Sequence, residues 1–163
     1  MEIINFNKGE RFSCAYPIGS DITNTIELSD FYAKTLAEDF LKKYRVGILK
    51  VNFWVTGSSG AILGALVTQS LLRLCQGIDI RICHIKKPNE ESHQYGLDFF
   101  NSRKKGDVVV NVVLDDFIST GSTMKRIYNR LEEIQEHNNV DYLCVSSGYQ
   151  PDISIIPKIL ITA

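Results

Sequence analysis

Residues Val108 to Leu114 form a nearly unbroken β-branched run that stops at two carboxylates, Asp115 and Asp116. A strand apolar on both faces must be covered on both faces, as an interior strand of a parallel sheet is, with helices above and below it. The neighbouring segments fit that frame. Lys50 to Val55, Asp79 to His84 and Val140 to Ser146 read as further strands, with Ile153 to Ile161 a candidate for a last one. Between them, Ala61 to Gln76 reads as a mostly buried helix and Thr123 to His137 as an amphipathic one, with Ile127, Leu131 and Ile134 on its apolar face. Upstream, Tyr32, Ala33, Leu36, Ala37, Phe40, Leu41 and Tyr44 recur at helical spacing. Asp30 to Tyr44 is therefore predicted as a helix, N-capped by Ser29 and with Asp30 in its first turn. Ahead of it, Glu2 to Phe6 and Phe12 to Pro17 lean towards β structure. Strands alternating with helices predict an α/β domain, its mostly parallel sheet flanked by helices and joined by right-handed crossovers. At 163 residues the chain is long enough for one core and short for two, so residues 1–163 are expected to form a single domain.

Composition narrows the function classes. A chain that is 44% hydrophobic and 23% charged is globular, and a net charge of −1 supplies no field to gather nucleic acid or acidic lipid. Neither is expected as a partner. Val51 to Leu72 carries no charge and is long enough to cross a bilayer, but Asn52, Thr56, Ser58, Ser59, Thr68, Gln69 and Ser70 make it too polar. A strand, a glycine turn and a buried helix account for it better. Met1 to Glu10 lacks the apolar stretch of a signal peptide. Cys14, Cys75, Cys83 and Cys144 are scattered without zinc-like spacing and read as reduced thiols of a cytoplasmic protein.

In a parallel α/β sheet, ligands bind where loops leave the carboxyl ends of strands. Three loops leave such ends here: Thr56 to Gly60, Ile85 to Gly106, and Asp115 to Ser122. In the last, two adjacent carboxylates can accept the paired hydroxyl donors of a ribose. Ser119-Thr120-Gly121-Ser122-Thr123 then offers hydroxyls, a flexible glycine and a helix N-terminus, an anion site in outline. The whole string, Val112 to Thr123, resembles the phosphoribosyl-diphosphate (PRPP) binding motif of the type I phosphoribosyltransferases. The resemblance implies that Asp115 and Asp116 meet the ribose hydroxyls, and that Ser119, Thr120, Gly121, Ser122 and Thr123 surround the 5′-phosphate. It is close over the motif and loose over the strand–helix order from about Asp30 to Ser147.

Val55-Thr56-Gly57-Ser58-Ser59-Gly60 likewise follows a strand and opens a helix, but it is neither a P-loop nor a Gly-x-Gly-x-x-Gly turn. By resemblance it is the family's diphosphate loop, with Thr56, Gly57, Ser58 and Ser59 as substrate-binding positions. Many members carry Arg or Lys just before the glycine, where this chain has Thr56. The polar run from His84 to Gly96 is similar to the flexible loop of the orotate phosphoribosyltransferases. Lys86 and Lys87 match its basic pair, and His93 and Gly96 match approximately. The spacing is about one residue longer, and Glu91-Ser92 stands where that family has a further lysine. Long polar loops of this kind are often lids, and Lys86, Lys87 and His93 are the catalytic candidates. His84 and His137 are expected to be structural or solvent-facing. Phosphoribosyltransferases for 6-oxopurines typically carry an acid where Ser119 stands, which argues against a hypoxanthine or guanine enzyme.

The resemblance implies a type I phosphoribosyltransferase-like domain with a small hood, formed by Met1 to Leu28 or Ser147 to Ala163. It implies transfer of ribose 5-phosphate from PRPP to a nucleobase, a pyrimidine such as orotate fitting the lysine-containing loop. Mg²⁺ would be held mainly by diphosphate and ribose hydroxyls with no dedicated protein ligands, and the protein would be a homodimer. The alternative is a non-catalytic PRPP- or nucleotide-binding regulator, which Thr56 and the missing loop lysine favour. A third reading is a subunit whose site a partner chain completes.

Overall fold

A computed structural model describes residues 1–5, 22–44, 47–86, 98–103, 105–117, 121–146 and 155–162. Six strands, β1 (Glu2–Asn5), β2 (Leu49–Thr56), β3 (Ile78–Ile85), β4 (Val108–Phe117), β5 (Val140–Ser146) and β6 (Ile159–Thr162), build one sheet. Their order is β1-β6-β5-β4-β2-β3, and every pairing is parallel. The helices are α1 (Ile22–Lys43), α2 (Gly57–Leu74) and α3 (Ser122–Glu133). The expected mostly parallel sheet is thus wholly parallel over the described residues. Among these residues no helix is long and apolar enough to cross a membrane.

Both sheet faces are covered, for the reason the β-branched runs require. On one face, Tyr32, Leu36 and Phe40 of α1 and Leu63, Val67 and Leu71 of α2 pack on Val51, Phe53, Val55, Val112 and Leu114. On the other, Met124, Ile127 and Leu131 of α3 pack on Trp54, Val113, Leu143 and Val145. Phe53 and Trp54, like Val112 and Val113, go to opposite faces because strand side chains alternate. Burying each of these large side chains contributes roughly 1.5–3 kcal/mol. A polar seam runs through the α3 face. Asn52 and Asn111 are register partners, and Asn52 Nδ2 donates to Asn111 Oδ1 at 2.9 Å. Asn52 also grips the backbone of Phe100, donating to its carbonyl at 2.7 Å and accepting its N–H at 2.8 Å. Phe99 lies against Trp54, ring centroids 5.5 Å apart.

Several boundaries depart from expectation. Helix α1 begins at Ile22, well before Asp30, so Ser29 is no N-cap: it is buried inside the helix and its hydroxyl donates to Ile26 O at 2.7 Å. Asp30, no longer in a first turn, accepts from Ser70 of α2 at 2.5 Å. The buried stripe of α1 continues backwards through Leu28, Ser29 and Thr25, and the two hydroxyl residues hide it from an apolar count. Helix α3 stops at Glu133 instead of His137. Gln135 takes φ 60°, its N–H reaching Glu132 O at 3.0 Å and that of Glu136 reaching Leu131 O at 2.7 Å, a Schellman end built without glycine. Strand β4 runs on to Phe117, so the acidic pair lies inside the strand end and not after it. Helix α2 opens at Gly57, one turn before Ala61, and the last strand is Ile159–Thr162. The segment Phe12 to Pro17 lies outside the described residues.

Candidate functional site

The chain leaves the adjacent strands β2 and β4 in opposite directions. From β2 it passes through α2 to β3 on one side, and from β4 through α3 to β5 on the other, the two helices lying on opposite faces. At such a switch point a crevice opens outside the strands' carboxyl ends, the place where open α/β sheets bind ligands. Trp54 of β2 pairs with Val113 of β4, so Thr56 and Asp115 each lie two residues beyond a shared rung. The two predicted substrate loops therefore start side by side.

On the β4 side, Asp115 is buried, with 5% of its surface exposed. Asp115 pairs with Val145 and Phe117 with Ser146, which makes Asp116 an extra residue. This is a bulge, the local break in pleating that sheets use beside binding sites. Gly121 then takes φ 77°, ψ 0°, a left-handed conformation that suits glycine, and caps α3. The first helical bond runs from Lys125 N–H to Gly121 O at 2.9 Å. Ser122 and Thr123 thus stand in the opening turn, whose N–H groups point out of the helix end with its partial positive charge. Ser119 and Thr120 lie outside the described residues.

On the β2 side, Gly57 also takes a left-handed φ, 69°, and opens α2. Ser58 is exposed and Ser59 half-buried in the first turn. Gly60 sits where a Cβ would come within 3.3 Å of Val55 Cβ, so a larger residue there would press the helix start against its own strand. The Thr56 hydroxyl turns inward: it is buried and donates to Ile85 O at 2.6 Å. Where relatives of the motif carry a cation, this chain therefore has a strand-to-strand tie. Lys86 follows Ile85 directly and is exposed, the described cation next to this loop in register. Lys87 and His93 lie outside the described residues.

His84, expected to be structural or solvent-facing, has a structural contact here that the sequence did not reveal. His84 is half-buried, and its Nε2 lies 3.1 Å from Gly57 O. A carbonyl only accepts, so the proton sits on Nε2. A histidine at a strand end gives no hint of this, because the contact depends on β3 lying beside β2. His137, as expected, is structural, its ring edge-on to Tyr128 at 6.0 Å. A cavity of about 330 Å³ opens at the opposite end of the sheet, between Phe40, Tyr44, Leu49, Cys75, Ile78 and Val108. It is mainly apolar, and its one lysine, Lys43, is paired with Asp39 at 2.7 Å.

No family model matches the chain, and no curated protein matches it. Solved structures do. Hypoxanthine phosphoribosyltransferase from Trypanosoma cruzi, in complex with the product IMP, superposes with a TM-score of 0.50 at 16% identity, over 83% of this chain and 69% of that one. A glutamic acid mutant from a set probing an invariant aspartic acid of hypoxanthine phosphoribosyltransferases gives 0.51 at 16% identity, over 85% and 76%. The fold is that of the type I phosphoribosyltransferases. In this fold the segment Thr56–Ser59 lies at and after the end of β2, and Asp115 and Gly121–Thr123 lie at and after the end of β4, at the same switch point.

Proposed function

We propose that the protein is a phosphoribosyltransferase that moves ribose 5-phosphate from PRPP to a nucleobase and releases diphosphate. The observation that carries this reading is the pairing, at one switch point, of two left-handed glycine turns that open helices, with a buried carboxylate between them. Two anion sites flanking a hydroxyl acceptor match a ligand with phosphate at one end, diphosphate at the other and a diol in the middle. The trypanosomal enzyme of the same fold is described with its product IMP, a base joined to ribose phosphate, which supports this class of substrate.

In the reaction, a ring nitrogen of the base attacks the anomeric carbon as the bond to the diphosphate oxygen breaks. Diphosphate leaves with the electron pair, and the nitrogen loses its proton to solvent. As in glycoside chemistry the transition state resembles an oxocarbenium ion beside a departing anion. The chain's work is then positioning and charge stabilisation. Asp115 and Asp116 orient the ribose hydroxyls, the turn at Gly121 to Thr123 holds the 5′-phosphate, and the amides from Gly57 to Ser59 receive the diphosphate. Lys86, with Lys87 and His93 further along the same connection, adds the positive charge that Thr56 does not supply. Among the described residues no group of three His, Cys, Asp or Glu could hold a metal by itself. A Mg²⁺ would be held by diphosphate and ribose oxygens and would supply charge neutralisation at the leaving group, with Asp115 and Asp116 serving the ribose hydroxyls. A cytoplasmic homodimer completes the proposal, its cysteines Cys75, Cys83 and Cys144 being buried and free.

A second reading has its own support. Position 56 is a threonine whose hydroxyl is committed to Ile85, so the loop carries no cation of its own, which suits a regulator that binds PRPP without turning it over. Diphosphate release from PRPP and Mg²⁺ separates the two, with orotate, uracil, adenine, guanine, hypoxanthine and xanthine offered in turn. Release with one base establishes the transferase and names its acceptor. The lysine pair favours orotate and Ser119 argues against a hypoxanthine or guanine acceptor, whereas the solved enzymes named above are hypoxanthine enzymes. Silence across the panel, with PRPP binding intact by calorimetry, favours the regulator or an acceptor outside the panel.

A further inference from the structure

The ends of β2 and β3 are tied by two crossed bonds. Thr56, on β2, donates its hydroxyl hydrogen to the carbonyl of Ile85 on β3 at 2.6 Å. His84, on β3, returns a bond from its Nε2 to the carbonyl of Gly57 at 3.1 Å, just past β2. Both residues sit at the last rungs of the pair, Val55 opposite His84 and Thr56 opposite Ile85. Neither bond belongs to the sheet ladder, and both converge on the turn where Gly57 takes φ 69°.

This geometry has a consequence for the Gly57–Ser58 peptide. In a trans peptide the carbonyl and the following N–H point in opposite directions, and the peptide bonds of the described chain are all trans. With its carbonyl drawn towards β3 by His84, the peptide turns the Ser58 N–H away from β3. β4 flanks β2 on the other side, and Ser58 stands in the first turn of α2, whose free N–H groups point out of the helix start at the switch point.

We propose that His84 is a positioning residue for the diphosphate subsite: with Thr56 it forms a reciprocal clasp that holds the Gly57 turn with its amides presented to the leaving group. The inference rests on the phosphoribosyltransferase reading. It assigns to the clasp the rigidity that a loop cation would otherwise provide by pairing with the ligand. His84 itself touches no substrate; it acts through the Gly57 carbonyl. The 5′-phosphate turn at Gly121 lies on β4 and α3 and is untouched by either bond.

The test compares two probes on the full chain by calorimetry, Mg²⁺-diphosphate and ribose 5-phosphate. Wild-type protein should bind both. His84→Ala should weaken diphosphate roughly tenfold, the scale of one hydrogen bond, and leave ribose 5-phosphate within about twofold. His84→Gln, whose amide can still donate to the carbonyl, should recover most of the loss. Thr56→Val, which removes the hydroxyl at constant shape, should show the same selective loss and serves if His84→Ala does not fold. Unchanged diphosphate affinity in both variants overturns the clasp. So does an equal loss of both probes, which would mark a merely structural role, or a Gln variant no better than Ala. Binding of neither probe by the wild type would instead overturn the phosphoribosyltransferase reading, and the clasp's role with it.

Discussion

Asp115 is a carboxylate kept almost out of water at the end of an interior strand, a position costly to maintain for packing alone. Asp115→Asn together with Asp116→Asn preserves size and removes two charged acceptors. PRPP affinity should fall at least roughly a hundredfold, since a hydrogen bond to a charged group is worth about 1.5–3 kcal/mol. The unfolding midpoint should stay near that of the wild type, and calorimetry reporting unchanged affinity would remove the ribose assignment. Cys83 is a contrasting buried group. Desolvation first, and then the nearby Asp98 charge, push its thiol from 9.0 up to about 12. The folded protein therefore holds it neutral at pH 8, and a disulfide reagent should label it only after denaturant is added. Its sign as a stability effect follows. The raised value favours folding fully below pH 9, and that share is lost as pH climbs from about 9 towards 12. An alkaline series of urea melts should show the decline, and a flat profile would mean that Cys83 is solvated.

At the level of elements, what the sequence disclosed depended on whether each signal was local. β4 was legible because its β-branched run is self-sufficient, and the turn at Gly121 because glycine between hydroxyl residues after a strand has few other uses. The start of α1 was not, because Thr25 and Ser29 occupy its buried stripe while looking like caps. Nor was the end of α3, where Gln135 does a glycine's work. The His84–Gly57 contact and the Asn52–Phe100 grip depend on which strands are neighbours, and strand order is not written locally. Asn52→Ala should test the second of these. It strips a buried N–H and a buried carbonyl of their partner and should cost about 2–4 kcal/mol by urea unfolding. A loss below about 0.5 kcal/mol, the range of ordinary surface changes, would mean the seam is replaceable. The connection after β3 carries a catalytic prediction. Lys86→Ala with Lys87→Ala should lower turnover far more than PRPP affinity, because a charge that meets the departing diphosphate acts mainly in the transition state. Equal losses would point to ground-state binding.

Across the whole molecule, helices on opposite faces and a strand order that reverses between β2 and β4 bring the proposed ligand turns to one end of the sheet. A ligand that spans them should stabilise the entire domain. PRPP with Mg²⁺ at a hundred times its dissociation constant would add about 2.7 kcal/mol, which for a chain of this size raises the melting temperature by about 5 °C or more. Scanning fluorimetry would show it, and no shift at saturating PRPP would count against any PRPP site. The pairing of β1 with β6 carries a further consequence, one of timing. Glu2 sits opposite Ile159, so β1, made before every other described strand, has no partner until β6 has left the ribosome. Closing so long a loop is entropically unfavourable, and contacts of this separation slow folding. β1 must therefore wait undocked, and the sheet of the described residues can be completed only after translation has passed β6.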